Sequence, residues 1–456
     1  MPSPTMETLY ELTVPLWATP SAQKRRPVLG ERRENSQDSR SDEPKEKRIA
    51  KCSNYRLKKI STSSNLTVGW LLDNIRSVVC DENVLDVDIE MLTIDGFVSQ
   101  IVRLNVLIRD DNDQKIVIKM PETRAIKAAL EKTTGSKLAE GADEKFVGSL
   151  NVFYNREISF YSMNKIEGLR VPQIYFSQKW EVNSKMGCIA MEDLSHLSTV
   201  PFFESLNLQQ VESVGTQLRA LHAFSLNMNT EWRKAFPYPM QLIDTVSNMT
   251  SIVQLFAERN PSLISTFERL LPFYNSRDFF IRILRDSHKE IGLSDVLCHG
   301  DLWFYNMMWK TAADFNNNDS DKRASNEIGA LIDWQNIHTG SIGEDLGHML
   351  AFCCDSPVRR HVESEYLPQY FKDLKEAVEQ KGCQLKITFE QFLRAYNRQF
   401  IAHAMHLPFI ACVMLSIKET TPEERQRRTE ILVQRTQDCW NDALLRLQEE
   451  FPEYFV

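Results

Sequence analysis

Between about residues 84 and 120 apolar side chains recur on alternate residues, interrupted by two polar turns, and this pattern leaves few folds open to the chain. A period of two calls for strands with one buried face. The run "DIEMLTI" leads to the turn pair Asp95-Gly96 and then to "FVSQIVRLNVLI", in which Val98, Val102, Leu104, Val106 and Ile108 share a face. Asp-Gly between two such runs signals a hairpin. The polar tract "RDDNDQ" and the run "KIVIKMP" follow, so an antiparallel meander of three strands is predicted, with Lys119 near its end. After a polar stretch to about 146, "FVGSLNVFYNREISFYSMNKI" predicts a helix, closed by Gly168 and Pro172. The runs "PQIYFSQKW" and "KMGCIAMEDL" bring the strands to five. Beyond Glu192 the period becomes helical, and "LQQVESVGTQLRALHAF" sets Val211, Val214, Leu218 and Leu221 on one stripe. Thr421-Pro422-Glu423-Glu424 reads as a capping box with proline at the first helical position. The expectation is an α+β chain of two lobes: a small lobe over residues 63–194, with a five-stranded antiparallel sheet and one helix, and a larger, mainly helical lobe over 195–456.

Residues 1–62 are expected to form a disordered or weakly ordered tail, because their charges outnumber periodic apolar positions and ordering entropy goes uncompensated. Lys and Arg number 54 against 62 Asp and Glu, a net charge of −8, so no general positive field exists to hold nucleic acid. The nine cysteines include no C-x-x-C pair and read as reduced thiols. The apolar run at 400–417 contains two histidines and Pro408, so it reads as a buried helix and no membrane span is expected. The first twenty residues lack a basic n-region and a continuous apolar h-region, and these absences together point to the cytosol.

The stretch "CHGDLWFYNMMW", residues 298–309, places Asp301 and Asn306 five residues apart in an apolar, aromatic setting. D-x-x-x-x-N is the spacing of the protein-kinase catalytic loop, in which Asp accepts the proton of the attacking hydroxyl and Asn holds Mg²⁺. Next come the short run "MMW", a polar tract and "IGALIDW", a hairpin pattern. Pairing Met307, Met308 and Trp309 with Ile332, Leu331 and Ala330 sets Asn306 opposite Asp333. Opposed residues have Cβ atoms about 4.5–5.5 Å apart, close enough to share one Mg²⁺ at roughly 2.0–2.1 Å. Lys119 ends an apolar strand, where its charge needs a carboxylate partner, and Glu157 on the following helix is the candidate. Taken singly, each of these residues has a plainer reading: a turn Asp, a strand-initiating Asn, an edge Lys, a solvated helix Glu.

The order Lys119, Glu157, "CHGDLWFYN", "IDW" resembles the small-molecule branch of the protein-kinase-like superfamily, the choline kinases and aminoglycoside phosphotransferases. "LCHGDLWFYNMMW", "LIDWQNIHTGSIGEDLGHML" and "AMEDLS" more closely resemble the CHK kinase-like family, which includes ecdysteroid kinase-like proteins of insects and a large nematode group. The resemblance runs from about Leu66 to the C-terminus. It implies a bilobal protein-kinase-like fold and transfer of the γ-phosphate of ATP to a small-molecule alcohol, with Mg²⁺ as cofactor; steroid-like or xenobiotic acceptors are implied by the family alone. It implies Asp301 as the base, Asn306 and Asp333 as metal ligands, Lys119 as the phosphate contact and Glu157 as its anchor. It further implies an adenine connector at Glu192, Asp193 and Leu194, a bracing role for His299, a tie from Asp345 to the loop backbone, and a packing role for His222. Gly96 and Ser99 in "DGFVSQ" are the candidate phosphate-loop contacts, although one glycine stands where protein kinases have three. "DWQ" in place of D-F-G and the lack of an A-P-E segment argue against a conventional protein kinase. The alternative to an enzyme is a catalytically silent scaffold of the same fold.

Overall fold

A computed structural model describes residues 55–455 except 63, 93–98, 110–112, 123–141, 164, 228–230, 313–322 and 417–419. The alternating stretch forms β1 (Val84–Met91), β2 (Ser99–Ile108) and β3 (Gln114–Pro121), and β4 (Ile174–Gln178) and β5 (Cys188–Glu192) complete a fully antiparallel sheet in the order β1-β2-β3-β5-β4. One face buries Val102, Leu104, Ile116 and Ile118 against helix α1 (Val68–Asn74), whose N-cap Thr67 accepts from the Trp70 amide at 3.2 Å. The other face carries helix α2 (Ala142–Tyr161), where Leu150, Tyr154 and Ile158 pack on Trp180 and Ile189. Lys119 lies between Ile101 and Ile189 in register. The Asp95-Gly96 turn and Val98 lie outside the described residues.

Residues 55–62, assigned to the tail on composition, belong to the sheet lobe. Tyr55–Leu57 makes a 3-10 turn, Ile60 is buried in the sheet core, and Lys58 donates to Asp86 at 2.9 Å. Arg56 bonds Asp73 and Asp81. Charge density over this stretch does not produce disorder, because Arg56 and Lys58 find fixed partners while Ile60 and, in part, Tyr55 pack into the sheet core.

The helical lobe includes α3 (Leu208–Asn227), α4 (Glu344–Cys353), α5 (Phe389–Ser416) and α6 (Pro422–Glu450), which share one core. The expected cap of α6 is present, Thr421 accepting from the Glu424 amide at 3.2 Å. Helix α5 is long and apolar enough to cross a membrane, but 89% of its most apolar window is buried within the chain, so its apolar character is accounted for by packing. Among the described residues every cysteine is a free thiol.

Two short ribbons sit at the top of this lobe: β6 (Val296–Cys298) with β9 (His338–Gly340), and β7 (Met307–Thr311) with β8 (Ala324–Leu331). The β7–β8 hairpin exists, but its register differs by one residue from the predicted one. Met307 opposes Leu331 and Met308 opposes Ala330, while Trp309 opposes Ile328, so the strand bulges at Gly329. The reason is a matter of faces. Met307, Trp309, Ile328 and Leu331 point into the large core, whereas Met308 and Ala330 join Leu197 in a small cluster at the lobe junction. The predicted pairing would have opposed core-facing to outward-facing residues, since a one-residue slip reverses every side chain. Asn306 therefore faces Ile332, whose amide donates to the Asn306 carbonyl at 3.0 Å, and Asp333 lies one step beyond the ladder in the left-handed conformation, φ 63°.

Candidate active site

Strand β6 delivers its last residue, Cys298, directly to His299-Gly300-Asp301, and a carboxylate holds this turn in shape. Asp345, in the first turn of α4, accepts the amides of His299 at 2.7 Å and Gly300 at 3.0 Å. Burial beside Glu344 still pushes its carboxyl up to about 7. The His299 ring Nε2 reaches the Ile332 carbonyl at 3.0 Å, and burial holds its pKa down to about 4, so a neutral imidazole ties the turn to the end of β8. Both bracing roles match expectation. His222, bonded to the Tyr370 hydroxyl at 2.7 Å, is a packed helix residue, also as expected.

Gly300 has φ +76°, and a Cβ there would lie 2.6 Å from the Asn336 carbonyl and 2.8 Å from the His338 ring. Gly300→Ala is therefore expected to cost at least about 1–2 kcal/mol from the left-handed backbone alone and to displace the turn. A lowered melting temperature together with lost activity is the expected outcome; unchanged values would show that the turn tolerates a side chain.

Asp301 is buried, and its carboxyl is pushed well above the usual range, first by burial and then by the charge of Asp333. The Asn306 amide NH₂ donates to the Asp301 carbonyl at 2.8 Å and to Asp301 Oδ2 at 3.0 Å, which fixes both side chains. The intervening Leu302 and Phe304 are sunk in the helical core and hold the segment down. From the sheet lobe, Lys119 Nζ meets Glu157 Oε2 at 2.6 Å and Asp333 Oδ1 at 2.6 Å. Burial opposes this ammonium, but Asp333 and Glu157 outweigh it and hold the charged form firmly. The Tyr154 hydroxyl, donating to the Lys119 carbonyl at 2.8 Å, fixes the strand against α2.

Asp301 and Asn306 thus form one hydrogen-bonded pair and Lys119, Glu157 and Asp333 a second set, and the charges of Asp333 and Lys119 act on Asp301, although Asn306 and Asp333 do not oppose each other across the ladder. The five residues hold one ammonium against three carboxyl groups. The Asn306 amide oxygen and the Asp333 carboxylate are hard donors of the kind Mg²⁺ takes. Asn306 and Asp333 are the residues that fit it.

The connector is placed between the lobes, with parts of it already engaged. The Glu192 amide donates to the Gln173 carbonyl at 2.9 Å, and the Leu194 carbonyl accepts from Leu197 at 2.9 Å. The Asp193 carboxylate takes Arg103 and the Ser195 amide, each at 2.8 Å. A cavity of about 240 Å³ adjoins it, lined by Val171, Glu192, Leu194, Leu197 and Gly329, and holds none of the five residues above. Ser99 opens β2 opposite Pro121 and is buried, while Gly96 lies outside the described residues.

One residue gave no signal in the sequence. Arg156, next to Glu157, is buried, has an Nη1 without a hydrogen-bond partner among the described residues, and is held down to about 10 by burial. An arginine on a helix ordinarily reaches solvent, so periodicity alone does not single it out.

A family model described as "DUF1679: Uncharacterized oxidoreductase dhs-27" matches residues 93–448. The Caenorhabditis elegans protein named uncharacterized oxidoreductase dhs-27 is 49% identical over 362 residues, which make up 79% of this chain and 44% of that protein. The chain therefore spans less than half the length of this relative. The uncharacterized kinase-like protein D1044.1 of the same nematode is 24% identical over 299 residues, 62% of this chain and 70% of the relative. Among solved structures, the Plasmodium vivax ethanolamine kinase aligns over 87% of this chain and 96% of its own at 13% identity, with a TM-score of 0.39.

Proposed function

This chain belongs to the DUF1679 family, and we propose that it is an ATP- and Mg²⁺-dependent phosphotransferase that moves the γ-phosphate to a hydroxyl of a small molecule. The observation that carries this reading is Lys119, bridging Glu157 of the sheet lobe and Asp333 of the helical lobe beside the Asp301–Asn306 pair. Under this reading the arrangement would supply a proton acceptor, a phosphate contact and a hard-metal donor set, the parts that phosphoryl transfer requires.

In this mechanism Asp301 orients the acceptor hydroxyl and takes its proton. Its raised proton affinity suits that task, and Asn306 keeps Oδ2 aimed. Lys119, held in place by Glu157, contacts the nucleotide phosphates. Asn306 and Asp333 would hold Mg²⁺, which when bound offsets the negative charge of the transferred group. Adenine would be met by the backbone of the connector Glu192, Asp193 and Leu194, of which the Glu192 amide is committed to Gln173 and the Leu194 carbonyl to Leu197.

The oxidoreductase name is carried by the family model's description and by a relative of which this chain spans 44%. Within the chain no G-x-G-x-x-G run is present, so no residues here suggest the usual glycine fingerprint for a nicotinamide cofactor. A silent scaffold would have no chemical need for the complete set of Asp301, Asn306, Asp333 and Lys119.

The test is incubation of the purified chain with γ-labelled ATP, Mg²⁺ and a fractionated metabolite extract. Label is expected in a small, alkali-stable phosphate monoester. Label found only in protein, or in no product while nucleotide fails to raise the melting temperature, would overturn the proposal.

A further inference from the structure

Three buried side chains outside the catalytic group converge at one point. Cys298 and His338 oppose each other directly in the β6–β9 ribbon, and Glu344 is the first residue of α4. Their sulfur, nitrogen and oxygen atoms all lie within 4.8 Å of one another, and the residues are 0, 0 and 3% exposed. Gly340, two residues beyond His338 on the same face, keeps the point open. A Cβ at Gly340 would lie 2.4 Å from Glu344 Oε2, 2.9 Å from Cys298 Sγ and 3.2 Å from His338 Nε2.

The hydrogen bonds around these residues leave the converging atoms underused. His338 Nδ1 lies 2.7 Å from the Asn336 carbonyl, which can only accept, so Nδ1 carries a proton and Nε2 is the nitrogen turned to the other two residues. A histidine anchored this way through its second nitrogen is the usual arrangement of a metal ligand. His338 Nε2 is 2.8 Å from Glu344 Oε1, yet among the described residues neither Nε2 nor Glu344 Oε2 has an aligned hydrogen-bond partner. The Cys298 thiol meets the Ser341 carbonyl at 3.3 Å and the Val296 carbonyl at 3.9 Å, both weak sulfur contacts, and also bonds the Glu344 carboxylate, so the sulfur and the carboxylate already face each other.

We propose that Cys298, His338 and Glu344 bind one zinc ion. Thiolate, imidazole and carboxylate form a ligand set of borderline softness that suits Zn²⁺ and excludes Mg²⁺, which separates this centre chemically from the hard oxygen donors at Asn306 and Asp333. Binding releases the thiol proton to solvent, together with the Nε2 proton when the imidazole is charged. Thiolate and carboxylate then balance the two charges of the ion, so the buried centre is neutral. The ion ties β6, which runs into the Asp301 turn, to β9 and to the start of α4, where the next residue, Asp345, holds that turn by its amides. Its role is to fix the position of the catalytic turn.

The test begins with the wild-type chain, purified without chelator, its metal counted by mass spectrometry of the native protein and by elemental analysis. One zinc per chain is expected. Chelator-treated protein is then titrated with Co²⁺ alone. A thiolate-to-cobalt charge-transfer band is expected, lost on adding Zn²⁺, unmoved by excess Mg²⁺ and absent from Cys298→Ser. A folded wild-type chain with neither zinc nor the cobalt band would overturn the proposal and leave the three residues as an ion pair beside a protonated thiol. A band that persists in Cys298→Ser would place the metal on another cysteine and overturn it equally. Absence of both zinc and the band from the folded wild type decides against the site even if the variant fails to fold.

Discussion

Asp301→Asn is expected to lower the rate of phosphoryl transfer by on the order of 10²–10⁴ while leaving nucleotide binding in place. The replacement is nearly isosteric, and its carboxamide oxygen still accepts from Asn306, so the loop keeps its shape. What disappears is the capacity to take a proton. The buried carboxyl at this position is already held toward its protonated form by burial and by Asp333, so a neutral group also relieves an electrostatic cost. The variant should therefore melt at the same temperature as the wild type or higher. Measuring turnover and the ATP-induced thermal shift on one preparation separates the two effects. Undiminished turnover would remove Asp301 from the chemistry, and loss of the thermal shift would mean that the substitution had disturbed the nucleotide site instead.

Lys119→Met is expected to damage stability and catalysis together. The ammonium is the cation shared by Glu157, 1% exposed, and Asp333. Removing one member of a buried ion pair and leaving its partner costs about 3–5 kcal/mol, which should appear as a large drop in the urea midpoint. Transfer should fall by roughly 10²–10³, as when one preorganised electrostatic contact to the reacting group is lost. Pairing the substitution with Glu157→Gln distinguishes the two consequences. The double variant no longer buries an unpaired carboxylate on α2, so much of the stability should return while activity stays low. A double variant that regained activity would show that Lys119 serves the fold alone.

The sheet lobe was legible because alternation is a local property, visible in "FVSQIVRLNVLI" and "KIVIKMP" without knowledge of what packs on them. The cap at Thr421 was legible for the same reason. The β7–β8 register was not, since a constant pairing sum assumes a regular ladder and the bulge at Gly329 breaks it. A glycine inside a strand marks such places, and it stood in "IGALIDW" as the available clue. The pairing of Lys119 with Glu157 could be reasoned from the cost of burying a charge. Its simultaneous contact with Asp333 could not, because no periodic pattern reports how two lobes meet. The convergence of Cys298, His338 and Glu344 was hidden likewise: the cysteine lies in one motif, the other two within another, and folding alone makes them neighbours.

The contact between Lys119 and Asp333 joins residues 214 positions apart, and it gives the protein a built-in trade. A polyphosphate drawn to this ammonium competes with a carboxylate that already holds it, and success releases that carboxylate. Under the proposed mechanism, Asp333 once free would turn from countering a lysine to serving a cation. Anything that occupied the lysine would then raise the affinity of the aspartate for metal, and by thermodynamic reciprocity the metal would raise the affinity of the lysine for phosphate. Saturation by either partner alone should consequently be weaker than saturation by the two together.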